Sequence, residues 1–187
     1  MKWLVAIVVW IQSVTPGSAA VATRTAVRVD PPQSMAPPNF PIEPAPRCAV
    51  LDNFGDARSG GRRHQGVDIM ATLGQEVYAM AAGTLTKQIF AGTTSGALSG
   101  NSWTLTLPPM AGATTPPAYY MYAHLSAFAP GLRVGSLVSK GQLIGFVGDT
   151  GNPGAGNYHL HFEVHPTGGA AVNPLPLLTI PQGCNVW

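Results

Sequence analysis

The chain has 187 residues, of which 45% are hydrophobic, enough to bury a core, so collagen-like and long disordered architectures are excluded. Charged residues make up only 10%, against about 25% in an average soluble domain, too few for a coiled coil or a surface helix laced with salt bridges. Net charge is +2 with no Lys/Arg run, so nucleic-acid binding has no electrostatic footprint here.

Met1 and Lys2 precede an apolar run from Trp3 to Ile11, and small residues then lead to Ala20-Val21-Ala22. A basic start, a short apolar stretch and Ala-x-Ala fit a secretory signal peptide over residues 1–22, with the mature chain starting near Thr23. The run is too short to span a bilayer, which takes about 20 residues; an uncleaved anchor or a buried N-terminal strand is the competing reading. The first cysteine is Cys48, so no lipid-anchoring Cys follows the apolar run. These features place the protein outside the cytoplasm, secreted or periplasmic. Residues 23–47 read as an N-terminal arm, with seven prolines between Asp30 and Arg47. Proline fixes φ and lacks the backbone donor, so this stretch is extended, neither helix nor central strand. Two cysteines, Cys48 and Cys184, suggest a disulfide in an exported chain; two unrelated buried thiols are the alternative.

From Cys48 onward, short β-prone runs alternate with turn signals. Candidate strands are Glu76–Ala81, Gly83–Ile89, Ser102–Leu107, Tyr119–His124, Leu143–Gly148 and His159–His165, separated by breaks rich in Gly or Pro. No window longer than about ten residues keeps a helical period uninterrupted by Gly or Pro, so helices are few. The fold class expected is mainly β: an antiparallel β sandwich or open barrel.

The histidines carry the functional signal. In a strand His159 and His161 share one face with Glu163, while Leu160, Phe162 and Val164 point to the core. Two imidazoles on a wetter face come within reach of one ligand, although H-x-H also describes two solvent-exposed strand residues. A second element strengthens the signal. In Gly61-Arg62-Arg63-His64-Gln65-Gly66-Val67-Asp68, His64 and Asp68 stand four apart and share a face on a strand or a helical turn. Imidazole and carboxylate are ligands that Zn2+ accepts. His64, Asp68 and one histidine of the pair make three protein ligands and leave one tetrahedral position open for water, as a catalytic zinc requires.

Four ordered segments now bear on identity: Gly61 to Asp68; Tyr122-Ala123-His124-Leu125-Ser126; Val134 to Gly151 with Gly141-Gln142-Leu143-Ile144-Gly145; and His159-Leu160-His161-Phe162-Glu163-Val164. Together they resemble the lysostaphin-type peptidoglycan metalloendopeptidases, from about Asp52 to Pro174. The resemblance implies His64, Asp68 and His161 as zinc ligands and His124 and His159 as catalytic histidines beside one Zn2+ per chain. It implies a metallopeptidase domain over residues 48–187 and hydrolysis of peptide bonds in peptidoglycan stem peptides or cross-links. The expected partners are peptidoglycan peptides. Neither nucleic acid nor a membrane span after signal removal is expected, and the chain is expected to be a monomer. Some relatives with this fold bind or regulate wall enzymes without turnover, and they have lost ligands that are all present here.

The remaining residues read as follows. His165 continues the strand face but matches no motif position, so it is expected to be exposed. Tyr119, Tyr120 and Tyr122 read as strand and core aromatics. Arg62 and Arg63 are candidates to orient Asp68 or a substrate carboxylate, and a solvated loop explains them equally well. Gly66 is expected to give room between two ligands. Gly148-Asp149-Thr150-Gly151 reads as a turn, because no helix follows it. Loops 108–117 and 151–158 are expected to flank the groove.

Overall fold

Alternating apolar and polar residues, broken by Gly and Pro, give strands wherever one face can be buried. The structure, a computed structural model, describes residues 39–187. The expected signal peptide and the first part of the Pro-rich arm lie outside the described residues. Strands are β1 (Ala49–Leu51), β2 (Gly66–Met70), β3 (Glu76–Tyr78), β4 (Gly83–Ile89), β5 (Asn101–Thr106), β6 (Tyr119–Phe128), β7 (Leu137–Val138), β8 (Leu143–Val147), β9 (His159–His165) and β10 (Asn185–Val186). Among the described residues the single α-helix, α1, is one turn long, Gly96–Ser99. Among the described residues no helix is long and apolar enough to cross a membrane.

The strands form one open sheet in the order β10-β1-β2-β9-β6-β5-β4-β7, with β8 joining β6 to β3. Every pairing is antiparallel except β1 with β10. The mainly β expectation holds, in its open form. Strand β6 organises the site. Its first half, Tyr119–Ala123, pairs with β9, and its second half, Leu125–Phe128, pairs with β8. His124 sits at the changeover, in a left-handed conformation at φ 63°, which costs a non-glycine residue of order 1–3 kcal/mol and persists only where the surroundings impose it.

One face of the sheet carries Val67 and Ile69 of β2, Leu160 and Phe162 of β9, and Trp103, Leu105, Tyr122 and Leu125, all fully buried. Polar atoms in this core are satisfied: Trp103 Nε1 donates to the Ile144 carbonyl at 3.0 Å, and the Met80 amide donates to the Tyr122 hydroxyl at 2.9 Å. Phe40 and Ile42, from the described end of the Pro-rich arm, join the same core, with Ile42 bridging Val77. Cys48 and Cys184 are disulfide-bonded across a sequence separation of 136. Closing so long a loop removes roughly 5 kcal/mol of unfolded-state entropy in the chain-entropy model.

Candidate metal centre

Antiparallel register sets Asp68 opposite His161 and Met70 opposite His159. Since Val67, Ile69, Leu160 and Phe162 enter the core, Asp68, His159 and His161 must emerge on the other face. Ala123 lies opposite His161 on β6, so the next residue, His124, reaches the same spot through its left-handed backbone. His64 arrives from a small hairpin between β1 and β2, closed by the Ala57 to Arg63 bridge and by the His64 amide donating to Asp56 at 2.8 Å. All five residues singled out in the sequence therefore meet.

His64 Nε2, His161 Nδ1 and Asp68 Oδ1 form a triangle with edges of 2.8, 3.1 and 3.1 Å. Ligand atoms around a tetrahedral zinc with bonds of about 2.0–2.1 Å stand about 3.3 Å apart. Two imidazole nitrogens and a carboxylate oxygen in this arrangement fit such an ion without rebuilding the backbone.

The outward-facing atoms explain why the inward ones converge. His64 Nδ1 donates to the Asn53 carbonyl at 2.8 Å, which leaves the lone pair on Nε2. His161 Nε2 donates to Glu163 Oε1 at 2.8 Å, which leaves the lone pair on Nδ1. Asp68 Oδ2 accepts from Asn53 Nδ2 at 2.8 Å and Arg58 Nη2 at 2.9 Å, so Oδ1 is the oxygen turned inward. The two further histidines follow the same logic. His124 Nδ1 donates to the Thr150 carbonyl and His159 Nδ1 to the Asn157 carbonyl, each at 2.8 Å. Their Nε2 atoms are thereby left as acceptors, and His159 Nε2 stands 3.7 Å from Asp68 Oδ1. The ring centroids of His124 and His159 are 4.8 Å apart.

Burial and charge then set protonation. Desolvation pushes the His124 imidazole down to about 3, helped by the neighbouring His159. Desolvation also lowers His159, although the Asp68 charge pulls it back up. Burial would raise Asp68, but hydrogen bonds from His161 and His64 outweigh it and hold the carboxyl well below the usual range. Burial would lower His161, yet bonds to Asp68 and Glu163 raise it to about 9. Without a metal, a proton therefore occupies the centre of the cluster.

Several expectations are corrected. His165 is buried at 4% exposure, because its Nε2 lies 2.8 Å from Glu163 Oε2 and its ring stacks on Tyr119 at 4.1 Å. The face carrying Glu163 is not wet: Glu163 is 8% exposed and bridges His161 and His165 rather than turning toward the triangle. Arg58, not Arg62 or Arg63, holds Asp68; Arg62 bonds Ser59 and Arg63 donates to the Gly55 carbonyl. Gly66 does not make room between ligands but lets β2 approach β9, since a Cβ there would lie 2.3 Å from the Phe162 oxygen. Asn53, Arg58 and Thr150 were missed because their roles depend on loops that close only in three dimensions. The 148–151 turn does hold His124: besides the Thr150 carbonyl, Thr150 Oγ1 donates to the Leu125 carbonyl at 2.8 Å.

This geometry has relatives. Residues 62–174 match the family described as peptidase family M23. The chain is 33% identical over 140 residues to the L-Ala--D-Glu endopeptidase of Bacillus subtilis (strain 168), covering 70% of this chain and 38% of that protein. It thus spans well under half the length of that curated relative. Among solved structures it is similar to the catalytic domain of the antimicrobial peptidase lysostaphin from Staphylococcus simulans, with a TM-score of 0.53, 28% identity, and coverage of 68% and 89% of the two chains. It is also similar to Helicobacter pylori Csd3, with a TM-score of 0.55, 27% identity, and coverage of 76% and 35%. Since the matched segment runs through more than half of the chain and carries the whole cluster, the chain belongs to peptidase family M23.

Proposed function

We infer that the protein is a zinc-dependent endopeptidase hydrolysing peptide bonds in peptidoglycan stem peptides or cross-links, outside the cytoplasm. His64, Asp68 and His161 would hold one Zn2+. Held there, zinc would polarise the scissile carbonyl as a Lewis acid and lower the pKa of a water toward about 7. The observation that carries the reading is the pair of additional imidazoles, His124 and His159, each with its back nitrogen donated away and an acceptor Nε2 facing the triangle. A protein that only stored a metal or bound the wall would need neither.

The chain's own residues then divide the proton work. His159 Nε2, left as an acceptor 3.7 Å from Asp68 Oδ1, takes the proton of the attacking water and returns it to the leaving amine; burial lowers this imidazole and the Asp68 charge offsets part of that. His124 is more strongly depressed and stays neutral, accepting a hydrogen bond that orients that water. Asn53, Arg58 and Glu163 keep the ligand atoms aimed inward. The Cys48 to Cys184 disulfide supports an oxidising, extracytoplasmic setting.

The test is purified protein incubated with isolated peptidoglycan, with released peptides identified by mass, beside a chelator-treated and a zinc-restored sample. Release that stops with chelator and returns with zinc is expected, and the fragment masses name the bond. One bound zinc per chain with no fragments would leave the wall-hydrolase reading without support.

A further inference from the structure

Of the five histidines, His165 is the one outside the metal cluster. It ends β9, on the same face of the strand as His161, and it is 4% exposed. None of the four motif segments reaches it, since the last stops at Val164. Burying a polar ring is unfavourable unless its nitrogens are bonded. Both are bonded here: Nε2 lies 2.8 Å from Glu163 Oε2, and Nδ1 lies 2.6 Å from the Gly169 carbonyl. Carboxylate and carbonyl only accept, so a hydrogen on each ring nitrogen completes the arrangement, as an imidazolium provides.

The ring is held from three sides. Antiparallel register sets Tyr119 of β6 opposite His165, and the two rings stack at 4.1 Å with planes 13° apart. The chain then reverses through Gly168, at φ 71°, a conformation that favours glycine. The Gly168 amide donates to the His165 carbonyl at 3.5 Å, and the turn carries the Gly169 carbonyl onto Nδ1. Beyond it the Val172 amide donates to the Val164 carbonyl at 2.9 Å, which closes the turn against β9. A ring fixed in this way offers its Nε2 hydrogen in one direction, toward Glu163. Glu163 in turn has two oxygens for two imidazoles, and Oε1 is on His161 Nε2 at 2.8 Å. With Oε2 pinned by His165, the carboxylate cannot rotate without losing a bond, so His161 keeps Nε2 outward and Nδ1 in the triangle. Without the His165 donor, Oε2 would be a buried acceptor lacking a partner, and the carboxylate would turn to regain one.

We propose that His165 is a positioning residue of the metal centre, which fixes the Glu163 carboxylate and through it the ring of His161. The proposal rests on the zinc-endopeptidase reading and deepens it. Orientation passes from the 166–169 turn to His165, from His165 to Glu163, and from Glu163 to the ligand. Partners behind a metal-binding histidine fix its ring orientation and raise its basicity. Here that support extends one residue further than the carboxylate, onto a stacked and doubly bonded ring. His165 itself touches neither the ion nor the substrate.

The test compares His165→Gln and His165→Asn with wild type in the full chain. The Gln amide nitrogen takes the place of Nε2 and reaches Glu163 but not Gly169. The Asn nitrogen takes the place of Nδ1 and reaches Gly169 but not Glu163. Zinc affinity by chelator competition, the visible absorption of the Co2+-substituted protein and melting temperature are measured for each. H165N is expected to bind zinc about threefold to tenfold more weakly, less than the loss of a direct outer partner, with a shifted Co2+ spectrum. H165Q is expected to keep wild-type affinity and spectrum. In the E163Q background H165N should lower affinity no further, because the path through Glu163 is already broken. Wild-type affinity and spectrum in H165N, or equal losses in both variants, would overturn the proposal and leave His165 a residue of the fold alone. A second measurement needs no variant at this position. Zinc-loaded wild type should show a slowly exchanging imidazole proton on His165 Nε2 by NMR, changed in E163Q, and its absence would overturn the proposal even if H165N does not fold. Wild type that binds no zinc would overturn the metal centre and this proposal together. Bound zinc without peptide release would overturn the endopeptidase reading and leave the positioning role standing.

Discussion

Replacing Glu163 by Gln preserves side-chain shape and removes one of two acceptors from a buried position. Glu163 Oε1 and Oε2 each lie 2.8 Å from an imidazole nitrogen, of His161 and His165 respectively. An amide accepts at one oxygen only, and keeping that oxygen on His161 turns its NH2 group toward His165 Nε2, which can receive it only with the ring proton on Nδ1 beside the Gly169 carbonyl at 2.6 Å. A charge-assisted bond of this kind contributes about 1.5–3 kcal/mol, and losing the outer partner of a metal-binding histidine costs about 10–100-fold in metal affinity. A second effect opposes this one. Hydrogen bonds to Asp68 and Glu163 offset burial and raise His161 to about 9, so at neutral pH an incoming ion must displace a proton. With tenfold per pH unit, that displacement costs about 100-fold at pH 7. Removing the Glu163 charge reduces this penalty, which masks part of the loss at pH 7 and none of it above the His161 value. E163Q is therefore expected to bind zinc about 10–100-fold more weakly at about pH 9.5, and less than that at pH 7. Competition against a chromophoric chelator at both pH values measures this. Equal affinities of the two proteins at the higher pH would refute the claim that Glu163 aims His161.

Other expectations follow from the same geometry. His124→Ala and His159→Ala should each lower hydrolysis by about 100-fold or more while keeping bound zinc, read by metal analysis beside peptide release; loss of the metal from both would contradict their assignment. Cys48→Ser with Cys184→Ser should cost about 2–5 kcal/mol in denaturant unfolding, and an unchanged midpoint would show that the staple adds nothing. Gly66→Ala would force a Cβ to 2.3 Å from the Phe162 oxygen, separating β2 from β9, and should cost about 3 kcal/mol and weaken zinc binding; a wild-type melting temperature would count against that packing. For the metal-free protein, the raised His161 contributes stability fully present below 6.5 and lost as pH rises through about 9. The depressed Asp68 and Glu163 contribute stability present above their ordinary values of 3.8 and 4.5 and lost in acid. Melting temperature against pH should fall on both sides, and a flat profile would refute it.

Much of the domain was legible because β structure repeats every two residues and residue types able to hold a metal are rare. The alternation in His159 to His165 assigned Leu160 and Phe162 to the core and His159 and His161 to the site, and β4 and β9 fall on the expected bounds. His64 and Asp68 were found through a spacing that one strand end can satisfy. Strands β1, β2, β7 and β10 were not among the expected strands: β1, β7 and β10, with two or three residues each, carry no period of their own and exist only through their partners, and β2, Gly66–Met70, is too short to stand out without its pairing to β9. The burial of His165 was misjudged for a related reason: a strand pattern gives the face of a side chain but not what covers it, and Tyr119 and Glu163 do so only after β6 pairs with β9. Likewise Asn53, Arg58 and Thr150 act through hydrogen bonds between residues 10 to 26 positions apart. The sequence by itself determined which atoms can bind and react, since that is a property of residue type and local spacing. Tertiary structure alone decided which nitrogen of each histidine faces inward and what lies at the far edge of the sheet, because both depend on contacts between distant segments.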